Sequence, residues 1–333
     1  MEESLTVATH PGAQVIASQS PLGACTTVPV ARYHFSFRMQ DELRLPDYSG
    51  SLLRGNFGAA LRRTACMTGL PECAGCPLYR TCPYPAIFET PAPETHSLQR
   101  FSQVPNPYVV EPPPLGTRYV PAEGIFSFAM VLVGRALDQL PLIVFALQRA
   151  FGSGIGRLRA TGSLVDIALE GLDGAESVWD AETSSIDTHG QKLSVPLLTD
   201  IDVVNLKIVT PLRLQNQGHR VPLDRLHPRT LFAALLRRTS LLFELHAALP
   251  GLAGDARRLT AAAASLVDER RLQWKDWTRF SSRQAQEMTL GGVIGEWTLS
   301  GDLGELLPWF WLGQWLHVGK NATMGMGKYS LAW

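Results

Sequence analysis

Hydrophobic and polar residues alternate along Arg32–Gln40, which is the period of a half-buried strand. After a turn at Pro46–Gly50 the period changes. In Ser51–Cys66 the apolar residues fall at 52, 53, 57, 60 and 61 with no proline among them, which predicts a short amphipathic helix capped by Ser51. Residues 67–122 show no period, are rich in Pro, Gly and Cys, and contain YVVEPPPLG. An irregular excursion of that length calls for a fastener or a function. Ile125–Val133 reads as a strand, Asp138–Phe151 as a helix, and about 159–169 as a strand, followed by a polar, acidic connector over 171–200. In the second half the pattern predicts a strand at Val203–Leu214, a helix at His227–Ala247 and a further helix over 255–273. Strands at Trp277–Phe280 and Met288–Leu299, an apolar helix at Leu303–Leu316 and a last strand at Gly325–Trp333 complete it.

The two halves repeat one another. FGAALRRT at Phe57–Thr64 and FAALLRRT at Phe232–Thr239 each sit in the helix after the first strand of their half. The pattern therefore predicts an α+β chain of tandem ferredoxin-like (RRM-like) domains built from β-α-β-β-α-β units. The predicted organisation is a loose arm at 1–29, a first domain at 30–200 with a Cys-rich insertion at about 66–122, and a second domain at 201–333. Such a unit leaves one sheet face open, the face that RNA-recognition domains use for single strands.

Composition narrows the function classes. The 333 residues are 45% hydrophobic and 18% charged, which excludes a disordered chain or a coiled coil. With 30 basic and 30 acidic residues, any polyanion site must be a local patch. From Ile201 to Ser240 there are seven Arg or Lys against two Asp, and Arg270–Arg283 holds five basic residues against one acidic one. Trp274, Trp277 and Phe280 interleave with the second run. The excess of acid lies over Phe151–Asp200, eight residues against three. A basic second half of this kind suits a phosphate backbone. The apolar stretches at 125–134 and 306–316 are too short to cross a bilayer, and the first thirty residues have the pattern of neither a signal nor a transit peptide. A soluble cytoplasmic protein is expected.

Cys66-x6-Cys73-x2-Cys76-x5-Cys82 supplies four soft ligands, and the central Cys-x2-Cys pair has the spacing that holds a tetrahedral zinc. One structural zinc is expected, with an iron–sulfur cluster or plain thiols as the alternatives. Four thiolates would close the site, so no metal-activated water is expected from it. The segment from Gly313 to Lys328 carries glycines at 313, 319, 325 and 327, with Lys320 and Lys328, and no acidic residue occurs from Leu306 to the end. Glycines permit close approach of backbone to a ligand, and the lysines add charge. The order of residues is neither a P-loop nor a dinucleotide fingerprint.

The chain resembles the Cas6 family of CRISPR precursor-RNA processing endoribonucleases, within the RAMP superfamily, over about residues 30–333. The resemblance is carried by GSLLRGNFGAALRR at 50–63, the cysteine cluster ending CPYPAIFETPAP at 82–93, TRFSSRQAQEMTLGGVIGEW at 278–297 and LHVGKNATMGMGKYSL at 316–331. It implies tandem ferredoxin-like domains that bind the repeat of a CRISPR transcript and cut it once without a metal. The product would carry a 2′,3′-cyclic phosphate or a related end. It also implies that Gly319, Gly325 and Gly327 lie against RNA. Other Cas effector subunits, or a second copy through the apolar 306–316 helix, are further partners, and no membrane is expected. The cysteine cluster would be a subgroup elaboration.

The chemistry asks for a base, an acid and a cation at the phosphorane, and histidine suits the first two. Many relatives keep a histidine after the first strand or in the first helix, whereas here none occurs between Met39 and Thr95. The candidates, in order, are His317, His219, His227 and His34. His189 and His246 read as structural. Tyr33, Tyr48 and Arg54 are first-domain contacts in place of the missing histidine. Arg213, Arg220, Arg279 and Arg283 join Arg54, Lys320 and Lys328 as RNA contacts, with Trp274 and Trp277 as stacking platforms. Trp309, Trp311 and Trp315 read as core. The alternative function is a non-catalytic RAMP subunit that retains the guide RNA.

Overall fold

The computed structural model describes residues 27–93, 104–117, 119–216, 218–249, 255–281 and 286–333, the backbone alone over 277–281 and 286–290. Most of the expected arm at 1–29, and Arg283, lie outside the described residues, as do the side chains of Trp277 and Arg279.

In the first half β1 (Val30–Met39), α1 (Gly50–Ala65), a short α2 (Pro83–Phe88), β2 (Tyr108–Glu111), β3 (Ile125–Val133), α3 (Leu140–Gly152), β4 (Gly162–Glu170) and β5 (Ala175–Ser177) follow one another. The sheet runs β2-β3-β1-β4-β5, antiparallel throughout. The alternation in β1 has a direct consequence. Tyr33, Phe35, Phe37 and Met39 are fully buried beneath the helices, while His34, Ser36 and Arg38 stand on the opposite face and keep solvent contact. Phe37 stacks on Phe151 of α3 with ring centroids 3.7 Å apart. Each such buried aromatic contributes roughly 1.5–3 kcal/mol.

The second half repeats the plan with β6 (Val203–Leu212), α4 (Pro228–His246), α5 (Ala256–Ala264), β7 (Val267–Ser281), β8 (Gln286–Ser300), α6 (Leu307–Leu316) and β9 (Tyr329–Ala332). Its sheet order is β7-β8-β6-β9, again antiparallel. The chain is thus a mixed α/β protein with two sheet-rich regions of like strand order. Trp297, Trp309 and Trp311 are core residues, and Trp315 packs beside them.

Three local expectations differ from the structure. Ser51 is not the cap of α1: the helix begins one residue earlier, after Ser49, whose side chain makes no cap hydrogen bond. The predicted helix at 255–273 stops at Ala264, and the rest is edge strand β7, whose alternating charges mark a pleated, solvated edge. The excursion hides β2, four buried residues ended by three prolines that cannot continue a sheet ladder.

The halves meet in a shared apolar cluster, while the first half also keeps a core of its own around Phe35, Phe37 and Phe151. Val30, Val109, Val131 and Val133 of the first sheet belong to the same apolar cluster as Leu206, Phe232 and Trp309 of the second half. His246 lies at this junction, buried, with Nε2 2.8 Å from the Pro105 carbonyl and Nδ1 accepting from Arg135. That pairing requires the neutral ring, and burial pulls its pKa down to about 4. The sign is then fixed. As pH falls from the ordinary histidine value near 6.5 towards 4, the unfolded chain gains a proton that the folded chain refuses. Stability is full above this window and is lost through it, by about 3 kcal/mol at about 1.4 kcal/mol per pKa unit. Urea midpoints at pH 7 and pH 4.5 should show a smaller acid loss for His246→Gln than for the parent. Equal losses would sink this account.

A basic groove as candidate nucleic-acid interface

A groove of about 3200 Å³ opens between the halves. One side is formed by α1 and the cysteine loop, the other by α4, and residues 319–324 of the glycine-rich segment line it as well. Its lining holds Arg44, Arg54, Arg62, Arg63, Arg157, Arg159, Arg229, Arg237, Arg238 and Lys320, with Glu89 the one carboxylate among the described residues. The duplicated strings explain much of this. The paired arginines of ALRRT and LLRRT, Arg62–Arg63 and Arg237–Arg238, fall on the two helices that face one another across the groove.

Two of these guanidiniums keep a buried N–H that has no hydrogen-bond partner among the described residues, Arg54 at Nε and Arg238 at Nη2. Leaving such a donor unsatisfied costs about 1–3 kcal/mol, and both atoms are shielded by protein, so it is the rest of each guanidinium that lines the groove. Arg54 lies 4.3 Å over the ring of Phe88. Arg238 donates through Nε to the Leu316 carbonyl at 2.8 Å, and burial brings its pKa down to about 10, so it stays charged at neutral pH.

The glycine-rich segment is locked in place by backbone contacts. Gly319 (φ 91°) presents Lys320, whose N–H bonds the Arg213 carbonyl at 2.9 Å. A Cβ on Gly327 (φ 72°) would lie 1.8 Å from the Val318 carbonyl oxygen. Gly325 and Gly327 are therefore buried against protein backbone, so their glycines serve internal packing where a ligand contact was expected. Tyr48 OH bonds the Met324 carbonyl at 2.5 Å, joining the start of α1 to the segment. Burial, and then the charge of Glu111, push the Tyr48 phenol far above its ordinary pKa.

Behind the groove lies a residue that no sequence pattern singles out. Glu111, 3% exposed, accepts from Arg32 at 3.0 Å and His317 at 2.8 Å through Oε1, and from Lys328 at 2.7 Å through Oε2. Burial by itself would raise its pKa. The His317 hydrogen bond and the charges of Arg32 and Lys328 overcome that and hold the carboxyl far below the ordinary range. Nothing in YVVEPPP marks this glutamate, since its partners come from residues 32, 317 and 328.

The histidine candidates separate. His317 is 0% exposed, has a positive φ of 57°, and is spent on Glu111 and the Met326 carbonyl, so it faces no solvent; burial lowers its pKa. His227 caps α4, accepting from the Arg229 N–H at 3.2 Å. His34 stands on the open face of β1, paired with Glu170 at 2.7 Å. His219 is exposed in a small hairpin with Arg220, and Gln215 and Asn216 of the same hairpin line the groove. None of the described histidines lines the groove itself. Tyr33 is buried on His189, its pKa raised to about 12 by burial. Of the predicted contacts, Arg54, Gly319 and Lys320 line the groove, Lys328 is held by Glu111, and Arg220 sits 4.6 Å over Trp274 away from it.

The four cysteines are free, and all four line one small cavity under the loop. Among the described residues no three His, Cys, Asp or Glu side chains are drawn together as a metal-holding group. No helix of the described residues is long and apolar enough to cross a membrane.

Residues 28–191 match a family model described as an N-terminal domain, and residues 206–329 match the model of CRISPR-associated endoribonuclease Cas6. No curated protein matches the sequence. Among solved structures, a Cas6 product complex is similar with TM-score 0.57 and 16% identity, over 91% of this chain and 99% of that one. Thermus thermophilus Cas6 is similar with TM-score 0.51 and 17% identity, over 93% and 100%. A chain of a partial Cas6-RT-Cas1–Cas2 complex is similar with TM-score 0.53 and 15% identity, and there 94% of this chain spans 47% of that one. The second half thus matches the Cas6 model, and the fold is similar to that of solved Cas6 structures along nine tenths of the chain.

Proposed function

We propose that this chain is an endoribonuclease that cuts precursor CRISPR RNA within its repeats, and that its two halves are ferredoxin-like (RRM-like) domains. The strand order of both halves, second-third-first-fourth in each unit, supports the fold reading. The observation that carries the function is the groove, where two arginine pairs face one another and the described lining holds ten Arg and Lys side chains against one carboxylate.

In the proposed reaction a 2′-oxygen loses its proton to a base and attacks the adjacent phosphorus. The bond from phosphorus to the 5′-oxygen breaks, and that oxygen takes a proton. The products are a 2′,3′-cyclic phosphate and a 5′-hydroxyl, and no metal takes part at the scissile bond. Arg54 and Lys320 supply positive charge to the phosphorane. His219 is the proposed base, being exposed in a hairpin whose neighbouring residues line the groove, with His34 next. His317 and His227 are spent on structure. Other Cas subunits and a second copy of the chain are the proposed protein partners.

The second reading is a subunit that holds guide RNA without cutting it, and one observation favours it: no described histidine lines the groove. Saturating protein incubated in EDTA with labelled repeat RNA from its own genomic neighbourhood separates the two. A single cut is expected, abolished by 2′-deoxy substitution at that position and reduced at least a hundredfold in His219→Ala. Tight binding of RNA that stays whole would overturn the nuclease reading and leave the guide-holding one.

A further inference from the structure

The cysteine loop is built differently from the rest of the molecule. Between Cys66 and Cys82 no residue is buried, and the partly buried ones are Cys66, Cys73, Cys76, Tyr79 and Cys82, every other residue being exposed. The four thiols and one tyrosine are the least exposed side chains of the loop, and Leu70 and Leu78 reach the same small cavity only in part. Met67 is 87%, Leu70 42% and Leu78 36% exposed, so the apolar residues of the loop build no buried core. One hydroxyl links two of the sulfurs: Thr68 Oγ1 lies 3.9 Å from Cys66 Sγ and 3.5 Å from Cys76 Sγ. Between Cys73 and Cys76 the chain turns tightly, with the Cys76 N–H on the Cys73 carbonyl at 3.0 Å and Gly75 at φ 85°. Seventeen residues without a core do not hold a shape through four free thiols, because thiols are weak donors and acceptors. A metal supplies what the core does not.

We propose that Cys66, Cys73, Cys76 and Cys82 bind one zinc ion as four thiolates, and that the loop clamped in this way is a wall of the basic groove. On binding, four thiol protons leave for solvent and the site takes a charge of −2, with no position left open for catalytic water. An all-sulfur donor set selects a soft or borderline ion over magnesium or calcium. The link to the groove is Arg62. Its guanidinium donates to the Leu70 and Pro71 carbonyls, both at 2.6 Å, and Cys66, Gly69, Leu70, Pro71 and Tyr79 line the groove beside it. Closing the sulfurs on a metal draws residues 67–81 against α1 and fixes Arg62. The wall part of this proposal rests on the RNA-binding reading, while the metal part does not.

The test measures metal first. Full-length protein purified without added metal should carry one zinc per chain by mass spectrometry, with four of its five thiols slow to react with a disulfide reagent until a chelator is added. Cys73→Ser and Cys76→Ser should each lower the zinc content to below a tenth. Five fast thiols in correctly folded parent protein after one equivalent of zinc would overturn the site, and so would iron with sulfide, or disulfides among these cysteines. The second arm compares zinc-loaded and chelated parent protein for binding of labelled repeat RNA. The expected loss is about tenfold, restored by zinc alone. Zinc binding with equal RNA affinity in both forms overturns the wall. Zinc binding with no RNA affinity in either form overturns the function proposed above and leaves the metal site standing.

Discussion

Replacing Glu111 by glutamine is expected to lower the stability of this protein by about 3–5 kcal/mol, a large share of the whole for a domain stable by roughly 5–15. The carboxylate is 3% exposed and faces three donors, Arg32, His317 and Lys328. Glutamine keeps the shape but turns an N–H2 group towards one of them, leaving Arg32 beside a buried site with no counter-charge on that side. Arg32 keeps its second partner, Glu170, so the loss falls on the junction between the halves rather than on β1. His317 and Lys328 both belong to the glycine-rich segment, so that segment loosens with it. Urea denaturation monitored by tryptophan fluorescence reads the change. The pH dependence identifies its source. Because the folded carboxyl titrates well below its unfolded value, its contribution is complete above about pH 4 and is lost as pH falls through the lower folded value. The gap between parent and Glu111→Gln should therefore persist to about pH 4 and close in stronger acid. A gap under 1 kcal/mol at pH 7 would mean that solvent reaches this cluster.

Periodicity carries most of the fold because it reports which face of an element is buried. Ile125–Val133 is the strand that its apolar run predicts, and the helices before and after the junction fall within a few residues of their patterns. What periodicity misses are elements too short to show a period, such as Tyr108–Glu111, and edge strands whose charges mimic a helix, such as Val267–Ser281. The site divides along the same line. The RRT repeat is local in sequence and could be seen there, and it puts an arginine pair on each side of the groove. Glu111 and His317 could not be judged from sequence, because the burial that defines them is produced by packing between residues about two hundred positions apart. His317 looked reactive because it precedes a lysine and glycines, yet those glycines bring the backbone down over it.

The second large effect concerns the arginine pairs themselves. Arg63 and Arg237 are the exposed members, one on α1 and one on α4, and both line the groove. Reversing both with Arg63→Glu and Arg237→Glu is expected to weaken binding of repeat RNA by roughly a hundredfold or more, since each charge-assisted hydrogen bond is worth about 1.5–3 kcal/mol. Both side chains are solvated helix residues, so thermal stability should change little, within about 0.5 kcal/mol. Salt separates a weakened interface from misfolding. Each phosphate left without its arginine lowers the slope of log affinity against log salt by about 0.7–0.9, so the slope of the double variant should be shallower by about 1.5 or more. Single variants that each forfeit about half of that loss, roughly tenfold apiece, would place both helices on one RNA at once. If Arg63→Glu alone abolished binding while Arg237→Glu had no effect, the RNA would lie on α1 and the cysteine loop, and α4 would face a protein partner instead. If neither mattered at low salt, the strand would run over the open face of β1, where His34 and Arg38 stand, and the groove would not be its path.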